Sequence, residues 1–469
     1  MTTLVWFRRD FRLTDHAALT AAADRGGPVV CVFVNDAHVD SLGAAPKWRM
    51  GLAVEQFAKT LEAMGQKLIL RTGAGDDVIP ALAAEVGADA VYWSRSYDPT
   101  VQVVDAKVKE KLKMAGFEAA SFKGHLIFEP WTVETKTGGF YKVFTPLWKT
   151  VRHWDMPKPL TKVTWMPAPK QFPPSENLND WQLGAAMKRG ADIVLPYTTV
   201  GEEKAQDRLD LFLTERVQGY PTNRDLPWKD GTSRLSENLT HGEISPLQCW
   251  HAGWRAFHGG DAGAEVFVKE IVWREFAYHL LHHTPHIATD NWKPDWDAFP
   301  WNTDETSGKV VAWVQGRTGI QFVDAAMREM YVTGTMHNRG RMIVASYLTK
   351  HLLTDWKIGM NWFADCLIDW DPASNAMGWQ WSSGSGPDAT PYFRVFNPVT
   401  QLDKFDKNRA YVGAWLAEGK ANPSDTALSY FDAVPKAWGL SATDAYPAPI
   451  VPADQGRKIA LDAYANRGF

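Results

Sequence analysis

The spacing of the apolar residues changes once along the chain, and that change constrains its fold more than any other feature. Early on, short apolar runs lie at Thr3 to Phe7, Val29 to Val34, Leu68 to Leu70, Ala90 to Trp93 and Ala119 to Phe122. Between them are stretches of helical spacing, Asp15 to Arg25, Trp48 to Met64, Asp76 to Val86 and Val101 to Met114. This βαβ rhythm predicts a parallel sheet in a Rossmann-like α/β N-terminal domain over residues 1–128. No GxGxxG follows the first strand, and Gly73-Ala74-Gly75 is too short and too late to bind a dinucleotide. Residues 129–198 read as a long interdomain connector, because six prolines between Pro157 and Pro174 stop any helix. From 199 to 469 the spacing is helical, as in Val266 to His283, Val310 to Tyr331, Met336 to Leu353 and Trp362 to Ile368. That part is expected to be an all-α domain.

With 45% apolar and 22% charged residues, the composition excludes a disordered or fibrous chain. Fifty basic against 54 acidic residues exclude a uniformly cationic surface but leave room for a local basic patch. Cys31, Cys249 and Cys366 form no CxxC, so neither a disulfide framework nor a zinc or iron-sulfur site is indicated, and a reducing cytoplasm fits. No apolar run approaches the about 18 residues of a spanning helix. Arg8-Arg9-Asp10-Phe11 has no hydrophobic signal core behind it. The 23 tryptophans are unusual, since each buried indole brings an N–H that needs a partner. Core filling, stacking and electron transfer are all open explanations.

Several clusters could carry chemistry. Asn338, Arg341 and Met342 fall at i, i+3 and i+4, and Val332 to Lys350 holds three cations and no acid. The plain reading is a solvated helix face. Glu270, Trp273 and Arg274 repeat that spacing, where a Glu270–Arg274 ion pair is the plain reading. Tyr220 and the loop Gly231-Thr232-Ser233-Arg234-Leu235-Ser236 suit a phosphate, against a simple N-cap by Ser236. Asp369 and Asp371 lack the oxygen shell of a metal site. His279, His282, His283 and His286 lack the glutamate of HExxH and read as surface or capping histidines.

Together these motifs resemble the cryptochrome/photolyase flavoproteins over nearly the whole chain. The resemblance rests on Trp6 to Leu13, Tyr141 to Pro146, Gly231 to Ser236, Trp273 to Phe276, Met336 to Met342, Trp379 to Trp381, and Phe393-Arg394-Val395-Phe396-Asn397-Pro398, in that order. It implies FAD in the helical domain. Tyr220, Thr232, Ser233, Arg234, Leu235 and Ser236 would hold the diphosphate and ribityl chain. Arg341 and Asp369 would pair beside the ring, Asp371 would meet its polar edge, and Asn375 would face the ring nitrogen. Trp379, Trp356 and Trp301 match the family's electron-hopping chain, with an apparent insertion at Asn302 to Val311 next to Trp301.

The resemblance also implies a substrate. Positions like Glu270, Trp273, Asn338, Met342 and Trp381 line the lesion pocket of enzymes that split cyclobutane pyrimidine dimers, and Ser374 to Trp381 is most similar to the class III type. Light-excited reduced FAD would pass an electron to a flipped-out dimer, with Arg224, Arg274 and Arg339 as DNA-binding candidates. The alternative is a blue-light receptor without repair; a flavoprotein electron carrier would leave the five pocket residues without a joint purpose. Trp48-Arg49 resembles folate-binding relatives, favouring methenyltetrahydrofolate over deazaflavin as antenna, although Val104 stands where the family has Arg. Thr335 and His16 also depart from the pattern, away from the chemistry. The expected partner is DNA containing pyrimidine dimers, bound by a monomer without membrane or metal.

Overall fold

The computed structural model describes residues 1–388, 392 and 394–469. Phe393, part of one quoted motif, lies outside the described residues. Five parallel strands, β1 (Thr2–Phe7), β2 (Val29–Asn35), β3 (Leu68–Thr72), β4 (Ala88–Ser94) and β5 (Glu118–Phe122), take the order β3-β2-β1-β4-β5. In register, Val5 pairs with Cys31 on one side and Tyr92 on the other. Alternate residues enter opposite cores because strand side chains alternate in direction. Val5, Phe7, Cys31 and Phe33 pack against the Ala17–Asp24 and Ala44–Glu62 helices. Leu4, Trp6, Val30 and Val32 pack against the Gly75–Glu85 and Pro99–Met114 helices. A sheet covered on both faces is why its strands read as continuous apolar runs.

The proline-rich stretch carries no helix from 154 to 169. It still seals the sheet: Val163 and Met166 join the sheet's core, and Val29 N–H donates to Pro167 O at 2.9 Å.

The helical part differs from the expectation in two places. Val310 to Tyr331 is two helices, Gly308–Val314 and Gln321–Thr333. Gly316 and Gly319 turn the chain between them with φ of 53° and 76°, and Asp324 pins the turn by accepting from Thr318 N–H (2.7 Å) and Gly319 N–H (2.9 Å). Met336 to Leu353 begins as a helix only at Asn338, where His337 caps it, and widens into a π-turn over Tyr347–His351. No described helix is long and apolar enough to cross a membrane.

Candidate flavin and nucleic-acid site

The Thr232 to Ser236 turn is held from behind. Arg208 donates to Arg234 O (2.8 Å), Arg216 donates to Thr232 O (3.4 Å), and Asp230 pairs with Arg216 (2.7 Å) and Arg234 (2.9 Å). Arg234 adopts a left-handed φ of 52°. No backbone N–H from Thr232 to Ser236 finds an acceptor among the described residues. A run of unclaimed N–H groups suits a diphosphate. Ser236 is not the N-cap: Leu235 holds that position with its side chain in the core, and no side chain caps the turn. Arg234 is exposed and committed to Asp230, so the backbone rather than its guanidinium faces the turn.

Beyond that turn, Arg341 Nη2 donates to both oxygens of Asp369 (2.7 and 3.0 Å), and its Nε donates to Met336 O (2.9 Å). Asp369 is buried. Two residues on, Asp371 caps the Pro372–Ser383 helix, accepting from Ser374 N–H at 2.8 Å, and Asn375 Nδ2 donates to Asp371 O at 2.9 Å. Burial would raise the Asp371 carboxyl, but Arg274, Arg9 and the Tyr278 hydroxyl outweigh it and hold the group below the usual carboxylate value. The unclaimed N–H groups of the turn suit a diphosphate, and the fixed guanidinium-carboxylate pair suits the polar edge of a flavin ring.

The five residues expected to line a lesion pocket stand on three helices, Gly263–His283, Asn338–Ser346 and Pro372–Ser383, the last of which packs against both others. Trp273 is half-buried, and one face stacks on Phe144 at 3.6 Å and 8°. Trp381 is half-buried beside Phe396 at 6.3 Å. Asn338 is exposed, with its amide 3.9 Å from Met342 Sδ. Two adjacent loop residues strap this mouth: Arg224 pairs with Glu270, and Asp225 accepts from Arg339 at 2.5 Å.

Two expectations about charge are therefore corrected. Glu270 pairs across the fold with Arg224 rather than along the helix with Arg274. Arg274 turns inward, donating to His125 O (2.9 Å), to the His125 ring (2.8 Å) and to Glu275 (3.2 Å), so it is not free to meet a phosphate. Among the clustered histidines, His279 is neither surface nor cap: it is fully buried and its Nε2 accepts from Tyr141 N–H at 3.1 Å. A buried Arg or His can be spent on a carbonyl or N–H of a remote segment, which helical spacing does not reveal.

Trp379 is buried with Phe363 (4.9 Å) and Trp313 (6.1 Å) as ring neighbours, and it fills the space a Cβ on Gly359 would need. Trp356, on the same Trp356–Cys366 helix as Gly359, is fully buried and donates to Asn291 Oδ1 at 2.9 Å. Trp301 is half-buried against Phe299 (4.5 Å) and Trp296 (6.2 Å). Sequence reasoning missed the support of the Asn338 end. Glu329 there accepts from the Tyr411 hydroxyl (2.5 Å) and His337 N–H (3.3 Å), and burial pushes its carboxyl up to about 7. Tyr411 lies 82 residues away, so no local signal marks the pair.

A cavity of about 220 Å³ opens where the sheet meets the helical part, lined by Arg9, His38, Asp98, Thr100, Trp370 and Pro372 among others. Arg9, His38 and Asp98 follow β1, β2 and β4, so the cavity sits at the carboxyl ends of the strands, where the strand order reverses. Open α/β sheets bind ligands at that position. Trp48 and Arg49 do not line it. Trp48 is packed against Gly184, and fully buried Arg49 binds Glu237 (3.0 Å), Glu243 (2.7 and 3.0 Å) and Thr199 O (3.0 Å). The pair is therefore spent on joining the sheet to the helix that follows the phosphate-type turn.

A parallel five-stranded sheet followed by a helical part that carries this polar set is the architecture of a two-part nucleotide-cofactor-binding protein. The family model described as DNA photolyase matches residues 3–168, and that for the FAD binding domain of DNA photolyase matches residues 267–466. The chain is 44% identical to a deoxyribodipyrimidine photo-lyase of Agrobacterium fabrum, covering 98% of this chain and 97% of that one. A crystal structure of a bacterial class III photolyase from Agrobacterium tumefaciens superposes with a TM-score of 0.90 at 42% identity, covering 99% and 97%. An archaeal photolyase from Sulfolobus tokodaii with two FAD molecules gives 0.81 at 26% identity, covering 99% and 100%. The chain belongs to the DNA photolyase family.

Proposed function

We propose that the protein is a light-driven DNA repair enzyme of the class III type, a deoxyribodipyrimidine photo-lyase that splits cyclobutane pyrimidine dimers. The observation that carries this reading is that Glu270, Trp273, Asn338, Met342 and Trp381 lie on three helices of which Pro372–Ser383 packs against both others, with the Arg341–Asp369 pair reached from the same Asn338–Ser346 helix. The relatives at 44% and 42% identity bear the same activity in their names.

Bound FAD supplies the light-driven electron. The chain's own residues do the rest. A dimer stacks poorly, so extruding it from the duplex costs less than extruding an intact base. Trp273, backed by Phe144, and Trp381 wedge the apolar faces of the dimer, each stack being worth about 1 to 3 kcal/mol. Glu270 and Asn338 take the pyrimidine edges, for which Glu270 exchanges Arg224 for the base. Arg339 exchanges Asp225 for a backbone phosphate, with Arg224 released to a second. Trp379, Trp356 and Trp301 would supply a route for electrons to reach bound FAD. The cavity at the strand ends holds the antenna ring, methenyltetrahydrofolate in preference to deazaflavin. The enzyme works as a monomer in the cytoplasm, which three buried free cysteines suit.

The test is repair itself. Reduced protein is incubated with a single-stranded oligonucleotide carrying one thymine dimer, in blue light and in darkness, while thymine absorbance is followed. Recovery in light alone is the expected result. Bound reduced FAD without recovery would overturn the assignment and leave a blue-light receptor as the reading.

A further inference from the structure

Three consecutive residues belong to both ligand sites. Trp370 and Pro372 line the strand-end cavity, and Asp371 between them is the N-cap of the helix carrying Asn375. Asp371 is engaged on every other side. Its Oδ1 accepts from Ser374 N–H (2.8 Å), its Oδ2 from the Tyr278 hydroxyl (2.5 Å), and its carbonyl from Asn375 N–H (3.0 Å) and Nδ2 (2.9 Å). Facing it from the cavity is Arg9. Arg9 Nε donates to Thr240 O at 2.7 Å, which leaves Nη2 at 3.6 Å from Asp371 Oδ2, too far for a hydrogen bond. That nitrogen is buried and has no hydrogen-bond partner.

A buried guanidinium N–H without an acceptor is poised to take one. Two acceptors are within reach: Asp371, by a small closure, or an anionic group entering the cavity. We propose that Arg9 couples the two ligand sites, so that an anionic antenna chromophore in the strand-end cavity draws Arg9 off Asp371 and makes the bound flavin harder to reduce. The inference rests on the cofactor and antenna placements above and goes beyond light harvesting. The sign follows from charge. Arg9 offsets the Asp371 carboxylate beside the helix that presents Asn375. Neutralising Arg9, whether by an anion or by substitution, leaves more negative charge near a flavin that must itself accept negative charge. Arg9 is therefore a positioning residue, acting on the flavin through Asp371.

The experiment is a redox titration of FAD-loaded protein, read by flavin absorbance, with and without saturating methenyltetrahydrofolate and, in a second arm, 8-hydroxydeazaflavin. Chromophore binding is read separately from its own absorption. The wild-type midpoint is expected to move to lower potential when either chromophore binds. Without chromophore, Arg9→Gln should already sit at the lower value and move less on addition, while Arg9→Lys should behave as wild type. A merely structural role would not divide the two variants by charge, and the wild-type titration decides even if neither variant folds. A chromophore that binds and leaves the wild-type midpoint unmoved overturns the coupling. Failure of both chromophores to bind overturns the antenna reading, and the coupling with it.

Discussion

The carboxylates assigned to the flavin side and those at the mouth of the proposed lesion pocket obey different rules. On the flavin side the carboxylates are buried and locked: Asp369 holds the partly exposed Arg341, Glu237 and Glu243 hold Arg49, and Glu275 accepts from Ile127 N–H at 2.7 Å. At the mouth, Glu270, Arg224, Arg339 and Asp225 are partly exposed and strapped to each other through two adjacent loop residues. Opening a buried pair costs about 3 to 5 kcal/mol, whereas an exposed one is worth about 0 to 1 kcal/mol. The contrast separates holding from exchanging: a resident cofactor needs partners that never leave, and a transient DNA ligand needs partners that leave cheaply.

The strongest way to break this comparison is Asp369→Ala, which strands the Arg341 guanidinium. Stability should fall by about 3 kcal/mol and FAD should be lost. The urea midpoint and the flavin-to-protein absorbance ratio measure both, and unchanged values would remove Asp369 from the locked set. A second test uses pH on the same side. Burial raises Glu275 to about 7, against the opposing charge of Arg274. Because the folded state holds this proton more tightly than the unfolded chain, its stabilising contribution is complete below about pH 4.5 and lost as pH rises through 7. The stability of wild type relative to Glu275→Gln should therefore fall by up to about 3 kcal/mol between pH 4.5 and 7.5, followed by chemical denaturation at each pH. A flat difference would show that Glu275 is ionised throughout.

At the mouth the expected effects are smaller. Trp381→Ala should weaken binding of a dimer-containing oligonucleotide by about 1 to 3 kcal/mol without changing FAD content, as measured by fluorescence anisotropy. Arg339→Gln should lower the slope of log affinity against log salt by about 0.9, the loss of one phosphate contact. The smallest change sharpens the comparison most. Asp225→Asn frees Arg339, so dimer affinity should hold or rise by at most about threefold. A marked fall would mean that Asp225 positions Arg339 for DNA and does not merely occupy it.

The sequence by itself determined the layering. Its apolar runs fall on all five strands, and its helical stretches fall on the sheet-covering helices, because a side chain's direction in a strand or helix depends on local backbone geometry alone. The order of the motifs likewise pointed to FAD before any contact was known. The break at Gly316 to Gly319 was visible as glycines yet read through, since their cost becomes decisive only once Asp324 captures the turn. Charge partners were decided by tertiary structure. Arg224 reaches Glu270 across 46 residues, Arg49 reaches Glu243 across 194, and Arg274 leaves its helix neighbour for His125 149 residues upstream. An ion pair forms where two surfaces meet and water is excluded, and that meeting is a property of the packed molecule rather than of any segment's spacing.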